Sequence, residues 1–268
     1  MGTRGVLIDI DGVLTVSWRP VPGAAEALDW LRRAGLRTVL LTNTTSRTRA
    51  SIAETLRGAG FDVSEDDVLT APTALAAYLA GHHPGARCRL VNSGDIRADL
   101  DGVDLVGEDP DVVVIGGAGP EFDYATMDAA FNDLRSGARL VAMHRNMYWR
   151  TAEGMRLDAG AFVVALERAA GVAAEVVGKP AEAFFTAALE RLGVPARDTV
   201  MVGDDVVSDV LAAQRVGITG VLVRTGKFEE GVLDRIEGMP DHVVASFADV
   251  PSLLEADGAP PDQEDQVR

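Results

Sequence analysis

Short apolar runs alternate along the chain with longer Ala-rich stretches in which apolar residues recur every three or four positions. The first kind reads as buried strand and the second as amphipathic helix, so their alternation predicts an α/β protein with a mostly parallel, doubly wound sheet. A strand is predicted near 5–10, a helix at 23–34 closed by Gly35, a strand at 36–41, and a helix within 46–60 that Ser46 can cap. The same alternation resumes late in the chain: 174–178, a helix at 181–192, a strand at 199–203, a helix at 206–215 and a strand at 220–223.

Between these halves, residues 72–172 read as a smaller α/β unit. It has strands near 88–91, 111–115 and 139–143 and helices near 72–80, 124–135 and 160–170. The organisation expected is therefore discontinuous: a core from 1–71 and 173–256, with a domain inserted at 72–172. The polar, acidic, Pro-containing residues 257–268 are expected to be a disordered tail.

Ligands of doubly wound sheets sit beyond the carboxyl ends of the strands. Several strand ends here are unusually polar: Asp9-Ile10-Asp11-Gly12, then Thr42-Asn43-Thr44, and Gly203-Asp204-Asp205 with Asp209 a turn beyond. Gly178-Lys179-Pro180 is another such feature. Each has a plain structural reading. Asp-x-Asp-Gly can be a turn, the Thr/Asn cluster and Asp205 can be helix caps, and Pro180 can open a helix. Taken together, in this order, they are a kit for phosphoryl chemistry. Asp9, Asp204 and a backbone carbonyl are hard oxygen donors suited to Mg²⁺. Lys179, the Thr42 hydroxyl and main-chain N–H groups would neutralise a phosphate, with a carboxylate as nucleophile. No Cys/His cluster competes for zinc, since the four histidines show no ligand spacing and Cys88 is the only cysteine.

Composition narrows the partners. The net charge is −16, from 41 acidic against 25 basic residues, which argues against nucleic acid or an anionic membrane and leaves room for a small phosphorylated substrate. Apolar runs stop short of the roughly 18 residues a membrane span needs. The chain begins Met-Gly-Thr-Arg directly before the first apolar run, so no signal peptide and a cytoplasmic location are expected. Only Lys179 and Lys227 are lysines, and both follow a glycine. The glycines in 112–122 follow a strand but lack the Gly-x-Gly-x-x-Gly spacing, so a dinucleotide site is not expected there.

"DIDGVL", "LLTNTT", "GKP" and "GDDVVSD", in this order, resemble the motifs of the haloacid dehalogenase (HAD) superfamily, and the insert resembles the large α/β cap of its NagD-like branch. The resemblance implies a Rossmann-like core with an inserted cap and an Mg²⁺-dependent phosphatase working through an aspartyl-phosphate. It makes Asp9 the nucleophile and Asp11 the general acid and base, with the Asp11 carbonyl on the metal. The Asp9-Ile10-Asp11 segment, Thr42, Asn43 and Lys179 would hold the phosphate. Asp204 would complete the metal site, with Asp205 and Asp209 behind it. In the cap it implicates His144, Arg145, Asn146 and Tyr148 in choosing the leaving group, and the family admits a homodimer through the cap. Lys227 reads as part of a surface turn without a catalytic role. Asp11 favours phosphatase over dehalogenase, because a halide leaves without a proton and an alkoxide does not. A phosphotransferase and a non-catalytic binding protein on the same fold are the other readings.

Overall fold

The computed structural model describes residues 2–151 and 154–256, so the tail expected at 257–268 lies outside the described residues. The chain forms two compact units. Of the described residues, the first holds 2–42, Arg49–Leu69 and 182–256; the second holds Asn43–Thr48 and those within Thr70–Ala181.

The first unit is built on a six-stranded sheet in the order His242–Val244, Thr219–Val223, Thr199–Gly203, Gly5–Asp9, Arg37–Thr42, Val68–Thr70. Gly5–Asp9 runs parallel to both neighbours, with Ile8 opposite Val202 on one side and Leu40 on the other. Every residue of this strand is buried. That explains its unbroken apolar run: a central parallel strand is covered on both faces and has no wet side to mark by alternation. Helices Ala24–Arg33, Arg49–Gly58 and Glu182–Leu192 supply the cover, burying for example Leu28 and Leu31, Ile52 and Leu56, and Phe184 and Phe185. From Gly5–Asp9 the chain moves to one side of the sheet, through Arg37–Thr42 and Val68–Thr70. It later returns on the other side, through Thr199–Gly203. The order therefore reverses between Gly5–Asp9 and Thr199–Gly203, and ligands of doubly wound sheets bind beyond the carboxyl ends at such a reversal.

The second unit has its own five-stranded sheet, in the order Ala174–Val176, Arg139–Ala142, Val112–Ile115, Arg87–Val91, Asp104–Leu105, with parallel pairing throughout. Alternate residues of its central strand feed two cores: Val113 and Ile115 one, Val112 and Val114 the other. Helices Ala71–His82, Tyr124–Arg135 and Ala159–Ala170 start at Thr70, Asp123 and Asp158, whose side chains accept a main-chain N–H. An antiparallel pair, Tyr148–Thr151 with Gly154–Leu157, stands apart from the main sheet.

The second boundary differs from the one expected at 172/173. Ala174–Val176 pairs with Arg139–Ala142 and so completes the inserted sheet, placing the division between Ala181 and Glu182. A three-residue strand carries no periodicity that could say which of two sheets it joins. Among the described residues no helix is long and apolar enough to cross a membrane.

Candidate active site

Asp9 ends Gly5–Asp9 and Asp204 immediately follows Thr199–Gly203, so two carboxylates flank the point where the strand order reverses. Asp209 joins them from the helical segment that follows. Asp9, Asp204 and Asp209 are all buried, and one ligand atom from each lies within 4.8 Å of the others. Asp209 thus belongs to the acidic cluster itself. Its Oδ2 accepts the Asp205 N–H at 3.2 Å, while the Asp205 carboxylate caps the helical segment by accepting from Val207 and Ser208. Gly203 makes room for Asp209, since a Cβ there would lie 2.3 Å from the Asp209 Cβ.

The loop after Asp9 curls back through hydrogen bonds from the Leu14 and Thr15 N–H groups to the Ile10 carbonyl. The loop leaves Asp11 exposed, with its Oδ1 accepting the Ser17 N–H at 3.1 Å. Gly12, at φ +100°, passes so close to Asp204 that a Cβ would sit 1.9 Å from its Oδ2. Thr42 is buried at the end of the strand beside Asp9.

A second loop reaches the cluster from the end of Thr219–Val223, and nothing in the sequence reading gave it a part. The Lys227 N–H donates to Asp204 Oδ2 at 2.7 Å, and the Lys227 ammonium lies 3.8 Å from Asp205 Oδ2. The Thr225 hydroxyl donates to the Gly12 carbonyl. The available signal was the rarity of lysine in a chain that otherwise uses arginine. Asp204 Oδ2 is thereby satisfied, whereas Asp204 Oδ1 is buried without a hydrogen-bond partner. Burial first, and then the neighbouring Asp9 and Asp209 carboxylates, push the Asp204 carboxyl up to about 8, against the pull of Lys227.

A buried carboxylate oxygen without a donor is costly unless a cation meets it. The donor set around it is oxygen only, which fits Mg²⁺ and does not fit zinc.

In the second unit the Asn43 carboxamide grips the main chain of Lys179. Its Oδ1 accepts the Lys179 N–H and its Nδ2 donates to the Lys179 carbonyl, both at 2.9 Å. Lys179 itself is buried. The cap residues named from sequence divide into committed and open ones. His144 is buried, and its Nδ1 accepts the Asn146 N–H. Arg145 forms a paired ion bridge to Glu167, at 2.7 and 3.1 Å. Asn146 and Tyr148 have exposed side chains.

A parallel α/β sheet with a buried, oxygen-only acidic cluster at its reversal point is an arrangement that metal-assisted hydrolysis can use. Comparison with known proteins makes this specific. A profile of haloacid dehalogenase-like hydrolases matches residues 6–106, and a second HAD-hydrolase-like profile matches residues 176–250. The chain is 39% identical over 259 residues to the phospholysine phosphohistidine inorganic pyrophosphate phosphatase of Bos taurus, covering 94% of each. To the haloacid dehalogenase-like hydrolase domain-containing protein 2 of the same species it is 39% identical, covering 91% of this chain and 93% of that one. Among solved structures, the p-nitrophenyl phosphatase from Archaeoglobus fulgidus superposes with a TM-score of 0.88 at 29% identity, over 94% of this chain and all of that one. NagD from Escherichia coli K-12 gives 0.85 at 30% identity, over 92% and 98%. The chain belongs to the haloacid dehalogenase-like hydrolase family and is an enzyme of its phosphatase class.

Proposed function

We propose that this protein is a Mg²⁺-dependent phosphatase that hydrolyses small phosphorylated metabolites through an aspartyl-phosphate on Asp9. The observation that carries the reading is the buried Asp9–Asp204–Asp209 cluster, with Asp204 Oδ1 left without a partner at the strand reversal. A glycerol phosphate phosphatase from Mycobacterium tuberculosis, solved in complex with magnesium, shares the fold at a TM-score of 0.85 and 28% identity, over 94% of this chain and 78% of that one, and supports the choice of ion.

Asp9, Asp204 and the Asp11 carbonyl, with Asp209 in the same cluster, would hold Mg²⁺, which would supply positive charge to the phosphate oxygens. The other steps belong to the chain. An Asp9 carboxylate oxygen attacks phosphorus as the bond to the leaving oxygen or nitrogen breaks, and Asp11 gives that atom its proton. Asp11 is exposed, with its carboxylate accepting the Ser17 N–H, so it can serve both the leaving group and the incoming water. Its carboxylate then removes a proton from water, the water oxygen bonds to phosphorus, and the bond to Asp9 breaks. Inorganic phosphate leaves and Asp9 is restored.

Thr42, the main chain at Ile10 and Asp11, and Lys179 are assigned to the phosphate on their motif positions. Asn43 acts through Lys179, whose main chain occupies both ends of its amide. Phosphoramidates and pyrophosphate lead the substrate list on the strength of the phospholysine phosphohistidine relative, followed by nucleotide and sugar phosphates. The test is phosphate release from a panel of these compounds with Mg²⁺ and with EDTA, for wild type and Asp9→Asn. Release that needs both Mg²⁺ and Asp9 supports the reading. A wild type that releases phosphate from nothing removes it.

A further inference from the structure

The acidic cluster brings three buried carboxylates together, and repulsion among them is strongest when no divalent ion balances it. The chain brings a lysine up beside that cluster on a pinned loop. The loop that follows Thr219–Val223 is pinned by the Thr225 hydroxyl on the Gly12 carbonyl and by the Lys227 N–H on Asp204 Oδ2. Gly226 at φ +65° has no space for a side chain, since a Cβ would lie 2.1 Å from Asp204 Oδ2 and 2.5 Å from the Gly12 Cα. Lys227 comes next, with its ammonium 3.8 Å from Asp205 and its side chain 63% exposed. It is one of two lysines in a chain with 25 basic residues. An arginine at this place would offer a planar fork that grips carboxylates bidentately. A lysine offers a point charge on a flexible stem, which balances the cluster without occupying the carboxylate oxygens a metal needs.

We propose that Lys227 is a counter-cation of the metal site: it helps balance the carboxylates when no divalent ion is bound and weakens divalent binding when one is. The inference rests on the metal reading above and assigns Lys227 a tuning role, with no part in the chemical steps. The Asp204, Asp9, Asp209 and Asp205 carboxylates all act electrostatically on this ammonium, in keeping with its place.

Mg²⁺ titration calorimetry without substrate, together with thermal unfolding in EDTA and in saturating Mg²⁺, tests it on Lys227→Met and Lys227→Arg. Removing one positive charge several ångströms from a dication is expected to tighten Mg²⁺ binding about fivefold. The midpoint of Lys227→Met is expected to fall in EDTA, with the deficit closing when Mg²⁺ saturates the site, as linkage requires of a tighter binder. Lys227→Arg keeps the charge but can occupy carboxylate oxygens, so it should bind Mg²⁺ no more tightly than wild type. Lys227→Gln gives the same reading should the methionine variant fail to fold. A purely structural lysine would lower the midpoint equally in both conditions and leave the affinity unchanged, which overturns the proposal alone. A wild type that binds no Mg²⁺ overturns the metal reading and this one with it.

Discussion

Asn43 holds Lys179 by its main chain: the carboxamide accepts the Lys179 N–H and donates to the Lys179 carbonyl, at 2.9 Å each. Both ends of the amide are therefore in use. Gly178, just before, has no room for a side chain, because a Cβ would lie 2.2 Å from the Met143 carbonyl and 2.7 Å from Asn43 Oδ1. A buried lysine whose backbone is fixed on both sides suits the proposed role of orienting a phosphate.

Asn43→Asp tests this clamp. An aspartate can still accept the N–H but turns a second acceptor toward the Lys179 carbonyl. The expected result is a fall in kcat of about tenfold or more, as for other displaced electrostatic groups, with a stability loss of about 1–3 kcal/mol for the carbonyl left unpaired. Steady-state kinetics with denaturant unfolding would read both. Unchanged kcat would show that Lys179 does not depend on Asn43.

Gly12→Ala attacks the metal site without removing a ligand. The new methyl would meet Asp204 Oδ2 at a backbone angle, φ +100°, that alanine resists. Loss of Mg²⁺ binding by calorimetry is expected in a protein whose circular dichroism still shows the fold. Retained affinity would mean that Asp204 does not need its present position.

Asp204 also fixes a pH dependence. Its carboxyl is raised to about 8 in the metal-free fold, from an ordinary value near 3.8. The folded state thus holds a proton that the unfolded chain has lost, and the slope of stability against pH is negative across that interval. Metal-free protein should lose stability as pH rises from about 4 to about 8 for that reason, and Mg²⁺ should restore it most at the alkaline end. Binding below pH 8 should release a proton, visible as a buffer-dependent heat in calorimetry. Stability in EDTA that rises over this interval would contradict the assignment.

In the second unit, Arg145→Ala should cost up to about 1 kcal/mol, the range for an exposed ion pair, and leave substrate preference unchanged, since Arg145 is bonded to Glu167. Asn146→Ala and Tyr148→Ala, with exposed side chains, should instead change KM across the phosphate panel. A preference that follows Arg145 would reverse this division.

Much of this architecture was legible in the chain because its central strands are long apolar runs and its helices keep one buried stripe, as 124–135 shows. Asp9 and Asp204 stood out because carboxylates are expensive at the mouth of a buried strand. The strands Val68–Thr70 and His242–Val244 escaped because three residues hold too little pattern. Ala174–Val176 was visible as a strand but not assignable to its sheet. Asn43 and Lys227 were visible as residues, yet their roles depend on what they meet: the Lys179 main chain for Asn43, the Asp204 and Asp205 carboxylates for Lys227. Those partners lie far along the sequence and leave no local trace.

The most direct measurement is the site of the covalent phosphate. Turnover with Mg²⁺ and a preferred substrate, quenched in acid and reduced with borohydride, converts an aspartyl-phosphate to homoserine that peptide mass spectrometry can place. The expected result is homoserine at Asp9, formed only with Mg²⁺ and substrate, and absent from Asp9→Asn. Turnover without a modified aspartate, or with the modification at Asp11 or Asp204, would contradict Asp9 as the nucleophile.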